Sequence, residues 1–145
     1  MPRRVFVAFL LLANSVLAAP KVFGKHAADM AKGLEVFKGD VRLVLKQNCV
    51  KCHGGDKTRG KLDLTTRDSL LKGGAEGPGI VSGKAESSLL YQLINHTQKP
   101  HMPAKADKLP ATSIKKIADW INLGAPYDKP LVDKAQVKKG FQVTE

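Results

Sequence analysis

Cysteine is scarce in this chain. Two among 145 residues can close one disulfide at most, which excludes a disulfide-dense scaffold, and a bridge between positions 49 and 52 would enclose too small a loop to matter entropically. Acidic residues are also few, 13 against 24 lysines and arginines, for a formal charge of +11. No apolar run approaches the roughly 20 residues that cross a bilayer, so a polytopic membrane protein is excluded. The phosphate-loop pattern G-x-x-x-x-G-K-[ST] is missing, which removes a nucleotide site of that kind. Neither an internal repeat nor a strand pattern is present. What remains is a chain with 43% hydrophobic and 26% charged residues, enough apolar material for one domain with one modest core and too much for disorder.

The first residues read as an export signal. Arg3 and Arg4 form a positive region, Val5-Phe-Val-Ala-Phe-Leu-Leu-Leu-Ala13 a short apolar one, and Asn14-Ser-Val-Leu-Ala-Ala19 a small-residue cleavage region. Cleavage is expected after Ala18, which makes residues 1–18 a signal peptide and leaves a membrane anchor only if the signal stays uncleaved. The arginine pair also resembles a twin-arginine signal, without the polar residues usual around it. Removing residues 1–18 takes two arginines and no acid, so the mature chain keeps a charge of +9.

Residues 19–34 show no sustained period and read as a loose leader. Apolar residues then recur at helical spacing in Leu34, Phe37, Val41, Val44 and Leu45, with Gly39 as a possible break, and this segment runs directly into Cys49. Thr66–Leu71 is a short helical stretch ended by Gly73 and Gly74. A third helix fits residues 86–95, with Leu89, Leu90, Leu93 and Ile94 on one face. A proline-punctuated segment, Lys99-Pro-His-Met-Pro103, interrupts regular structure. The last helix carries Ile114, Ile117, Ala118 and Ile121 at positions i, i+3, i+4 and i+7 and stops at Gly124 and Pro126. Pro110 and Ala111 stand where its cap would be expected, leaving Thr112 for that role. The tail after Tyr127 is polar and reads as frayed. The class is therefore all-α, with about four helices and long loops.

Cys49-Val-Lys-Cys-His53 is the C-x-x-C-H haem-attachment signature. Cys49 and Cys52 carry the haem as thioethers, and His53 is placed beneath the iron as proximal ligand. A zinc site would need a second C-x-x-C or clustered histidines, yet His26, His96 and His101 are scattered. A thioredoxin-like dithiol would need a βαβ context that is missing. The expected cofactor is one covalent haem c. For the opposite iron position the best candidate is Met102, inside the rigid Pro100-His-Met-Pro103 loop; Met1 is the initiator and Met30 sits in the leader. A His/Met pair raises the potential and closes the coordination sphere. His101 is the next candidate, followed by His96 and His26.

The segments Asn48-Cys-Val-Lys-Cys-His-Gly54, Gly60-Lys-Leu-Asp-Leu64, Ser69-Leu-Leu-Lys-Gly-Gly74, Gly77-Pro-Gly-Ile-Val-Ser-Gly-Lys84, His101-Met-Pro103 and Ile117-Ala-Asp-Trp-Ile-Asn-Leu-Gly-Ala-Pro126 together resemble the planctomycete-type cytochrome c domain. The likeness covers residues 35–127 and leaves 128–145 as a tail. It implies a class I cytochrome c-like fold, with His53 and the methionine of an M-P-P motif, here Met102 in Met-Pro-Ala104, as axial ligands. On that reading the first and last helices cross near the haem edge, Phe37 and a partly buried Trp120 pack there, and glycines 73, 74, 77 and 79 let the backbone approach the macrocycle.

The expected function is single-electron transfer between periplasmic redox partners by a monomeric carrier, with no catalytic residues. Its positive charge suits a partner with an acidic docking surface; nucleic acid is not expected. Two other readings stay open: a haem enzyme or gas sensor with an open distal site, and a haem-bearing module of a larger complex.

Overall fold

Good helix formers, alanine, lysine and methionine, populate the stretch before residue 36. In the computed structural model, which describes residues 21–55 and 57–132, that stretch is helix α1, Lys21–Val36. The expected loose leader is thus corrected: helix runs through it and across its boundary at residue 34. A π-turn at Phe37–Val41 joins α1 to α2, Arg42–Asn48. Residues spaced by four drift around an ordinary helix of 3.6 residues per turn. The wider π-turn keeps Phe37, Val41, Leu45 and Cys49, all four apart, in the core. Gly39 lies in that turn, bending the helix rather than ending it. The expected signal peptide falls outside the described residues, as does the tail beyond residue 132.

A single turn, α3 (Val50–His53), follows Cys49, and the chain then doubles back so that the two-residue strand β1, Lys57–Thr58, bridges antiparallel to His53 and Gly54. A 3₁₀ turn at Arg59–Lys61 leads on to α4, Arg67–Lys72. Thr66 caps α4 through a reciprocal pair of hydrogen bonds with Ser69, and Gly73, at φ 78°, ends it. Helix α5 is Leu89–Ile94, shorter than expected. Its start is delayed because the Ser88 hydroxyl donates to the Lys84 carbonyl and accepts from the Val81 amide, tying off the preceding loop. Helix α6, Ala111–Asn122, begins at Pro110 with no side-chain cap, so Thr112 does not serve as one.

Helix α1 packs against α6 and closely against the turn that follows it. A Cβ on Gly33 would stand 2.9 Å from Leu123 Cβ and 3.0 Å from Pro126 Cδ, while one on Gly124 would stand 2.5 Å from Met30 Sδ. Small residues permit this crossing. Beside it Phe37 stacks on Trp120 at 5.6 Å between centroids, and Tyr127 closes on Phe37 at 4.4 Å. Trp120 is fully buried, not partly, and its indole N–H donates to the Pro126 carbonyl at 2.9 Å. The stripe of Ile114, Ile117 and Ile121 is buried as expected. Residues just after Tyr127 are fixed rather than frayed: Leu131 is buried, its amide donates to the Thr65 carbonyl at 2.8 Å, and Asp128 pairs with Arg42. The described residues are helical and loop-rich, with no sheet.

Candidate haem site

Helix α3 is one turn long, and that is what the attachment motif needs. Cys49 caps it at φ −121°, ψ −44°, and the Cys49 carbonyl accepts from the amides of Cys52 at 3.1 Å and His53 at 2.9 Å. Positions i, i+3 and i+4 share a helix face, so both sulfurs and the imidazole are presented together. Gly54 then leaves the helix in extended conformation; a Cβ there would press on Thr65 Cγ2 at 2.9 Å and the Val50 carbonyl at 3.1 Å. The His53 carbonyl accepts from Leu64 at 2.8 Å, which seats the turn on the core.

Both cysteines are free thiols, Cys49 buried and Cys52 half-buried. Burial, with a smaller contribution from neighbouring Cys52, pushes the Cys49 thiol up to about 12. Among the described residues no group of three His, Cys, Asp or Glu side chains comes together to hold a metal ion. A zinc site therefore has no ligand set among the described residues.

Cys49, Cys52, His53 and Met102 line the walls of one cavity of about 590 Å³. That volume lies within the range of cofactor pockets. Its apolar surface includes Leu62 and Leu64 and all four of Leu89, Leu90, Leu93 and Ile94 on α5, which the sequence pattern set on one helix face. Arg59, Lys99 and Lys105 contribute cations and Glu76 one acid. Nδ1 of His53 is buried with no hydrogen-bond partner among the described residues. An unpaired buried ring nitrogen is costly in a finished structure, so the chain alone leaves this imidazole incomplete. An apolar cavity, two free thiols on one helix face and an uncompensated imidazole fit a covalently held haem.

The other candidates fall away from this cavity. His26 is exposed on α1, and neither His96 nor His101 lines the cavity wall. Met30 packs its sulfur over Gly124. Of the four glycines expected to admit a macrocycle, Gly74, Gly77 and Gly79 line the cavity but Gly73 does not. Two of them also serve chain-to-chain contact: a Cβ on Gly73 would overlap the Gly77 carbonyl, and one on Gly74 the Gly60 carbonyl. Sequence reasoning weighed His96 only as an iron ligand and missed its contact with the loop, where its Nε2 lies 3.1 Å from the Met102 carbonyl oxygen. No pattern in the sequence marks that pairing.

Residues 49–105 match the family described as Planctomycete cytochrome C. No curated protein and no solved structure matches the chain. The matched segment begins at the first attachment cysteine and ends just past Met102, so it takes in all four candidate haem residues.

Proposed function

We propose that this chain, which carries a planctomycete-type cytochrome c domain, is an exported single-haem electron carrier of class I-like fold. The observation that carries the reading is the meeting of Cys49, Cys52, His53 and Met102 on one apolar cavity. Cys49 and Cys52 would hold the haem through thioether links, and His53 through an imidazole nitrogen and Met102 through its thioether sulfur would hold the iron. Haem bound there supplies an iron that takes up and releases one electron at a time. With His53 and Met102 both on the metal, small molecules would be kept from it, and the site would favour electron transfer over substrate chemistry. Arg59, Lys99 and Lys105 offer cations to the haem carboxylates. The leucines of α5 and of the 62–64 segment exclude water, which strengthens electrostatic interactions inside the cavity.

Export through residues 1–18 places the carrier in the periplasm, as a monomer. The mature charge of +9 steers it toward an acidic surface on its redox partners. Its reduction by the native partner should therefore slow as ionic strength rises; a salt-independent rate would contradict this docking mode.

Substitution of Met102 by Ala tests the ligand set. The account expects loss of the sulfur-to-iron absorption band, a lowered potential and new binding of carbon monoxide to the reduced protein. An unchanged spectrum would remove Met102 as ligand. Carbon monoxide binding by the unsubstituted reduced chain would instead favour an enzyme or sensor with an open distal site.

A further inference from the structure

The chain around Met102 is held by its backbone. The Met102 amide donates to the Leu93 carbonyl, in the last turn of α5, at 3.1 Å. On its other side the Met102 carbonyl lies 3.1 Å from Nε2 of His96. A carbonyl only accepts, so Nε2 is the donor and carries the proton. The same imidazole stacks on the ring of His101, the residue before Met102, at 4.3 Å and an interplanar angle of 5°. His96 sits at φ 61°, a left-handed conformation that histidine tolerates better than most residues and glycine better still. A glycine would relieve that backbone, but it would supply neither the hydrogen bond nor the stack.

We infer that His96 is the positioning residue for the distal side of the site: its Nε2–H on the Met102 carbonyl and its stack on His101 fix the segment from which the Met102 sulfur reaches into the cavity. The inference rests on Met102 being the distal ligand. With the Met102 amide tied to α5 at Leu93 and its carbonyl to His96 just beyond the helix, the backbone of Met102 is held on both sides, and the ordering cost of presenting its sulfur is reduced. Removing the Nε2 donor leaves a partly buried carbonyl unpaired and lets the loop swing.

The test uses the full haem-loaded chain with His96→Phe, which keeps an aromatic ring against His101 without the donor, and His96→Gln, which restores an N–H donor at similar reach. Two quantities are read: the carbon-monoxide-accessible fraction of the reduced protein, and the temperature at which the sulfur-to-iron band bleaches, compared with global unfolding by circular dichroism. His96→Phe should raise the accessible fraction about fivefold, the change expected from losing one typical hydrogen bond, and should bleach the band well below global unfolding. His96→Gln should stay close to the unsubstituted chain. His96→Phe behaving as the unsubstituted chain, or His96→Gln opening as far as His96→Phe, overturns the inference while Met102 stands as ligand. Absence of the band from the unsubstituted chain removes the Met102 reading and this inference with it. Should the variants fail to fold, nitrogen-detected NMR of the reduced unsubstituted chain decides: a slowly exchanging His96 Nε2–H supports the assignment, and the Nδ1–H tautomer refutes it.

Discussion

Gly33→Ala pits two effects of opposite sign against each other. In an exposed helix interior, replacing glycine by alanine stabilises by roughly 0.5–1 kcal/mol, because the unfolded chain loses freedom and the helix gains a better former. Gly33 is not in open space. Its Cβ would stand 2.9 Å from Leu123 Cβ, 3.0 Å from Pro126 Cδ and 3.1 Å from the Leu123 carbonyl, one of them a backbone atom that cannot rotate aside. Overpacking of this kind costs about 1–3 kcal/mol, so the net expectation is a loss of about 1 kcal/mol, a drop of a few degrees in melting temperature for a chain of this size. Gly39→Ala is the control, since nothing lies within 4 Å of its Cβ position, and it should be neutral or stabilising. Thermal and denaturant unfolding of the two haem-loaded variants, followed by circular dichroism, reads the signs directly. If Gly33→Ala stabilises as much as Gly39→Ala, α1 does not cross α6 at that point, and the account of residues 21–36 as part of the fold fails.

Trp120→Ala should cost about 3–5 kcal/mol, because the fully buried indole packs on Phe37 and Tyr127 and its N–H satisfies the Pro126 carbonyl; a loss under about 1 kcal/mol in denaturant titration would contradict that packing. Partial desolvation pushes the Asp128 carboxyl up, but the hydrogen bond and charge of Arg42, with the amides of Lys129 and Asp128 itself, outweigh it and hold the group below the usual carboxylate value. A lowered folded value means that this pair stabilises fully above the ordinary carboxylate range and stops doing so as pH falls through the folded value. The stability difference between the unsubstituted chain and Asp128→Asn should therefore shrink on acidification, and a difference constant with pH would refute the pairing.

The parts of the fold that were legible in the sequence are those in which burial repeats regularly. Helix α6 showed itself because Ile114, Ile117 and Ile121 all face the core. Helix α1 did not, because hydrophobic period reports burial rather than helicity: among its described side chains most are exposed, and its contact with α6 runs through Gly33 and Met30. Trp120 looked peripheral beside the isoleucine stripe, yet two aromatic rings, those of Phe37 and Tyr127, close around it. Leu131 joins the buried core and its amide donates to the distant Thr65 carbonyl, neither of which leaves a local signature. Of the residues on the cavity wall, Cys49, Cys52 and His53 stood out in the sequence because one helical turn sets their spacing, and Met102 because prolines bracket it. The contribution of His96 depends on a left-handed turn after α5 and a carbonyl six residues away, a tertiary fact with no counterpart in composition or period.

The most direct measurement is the absorption spectrum of the purified protein, oxidised and then reduced, with a pyridine haemochrome assay on the same sample. A covalent c-type haem with low-spin bands and a sulfur-to-iron band is the predicted result, and it would place His53 and Met102 on the iron of an electron carrier. A high-spin spectrum would contradict the closed ligand set, and the absence of covalent haem would contradict the account at its root.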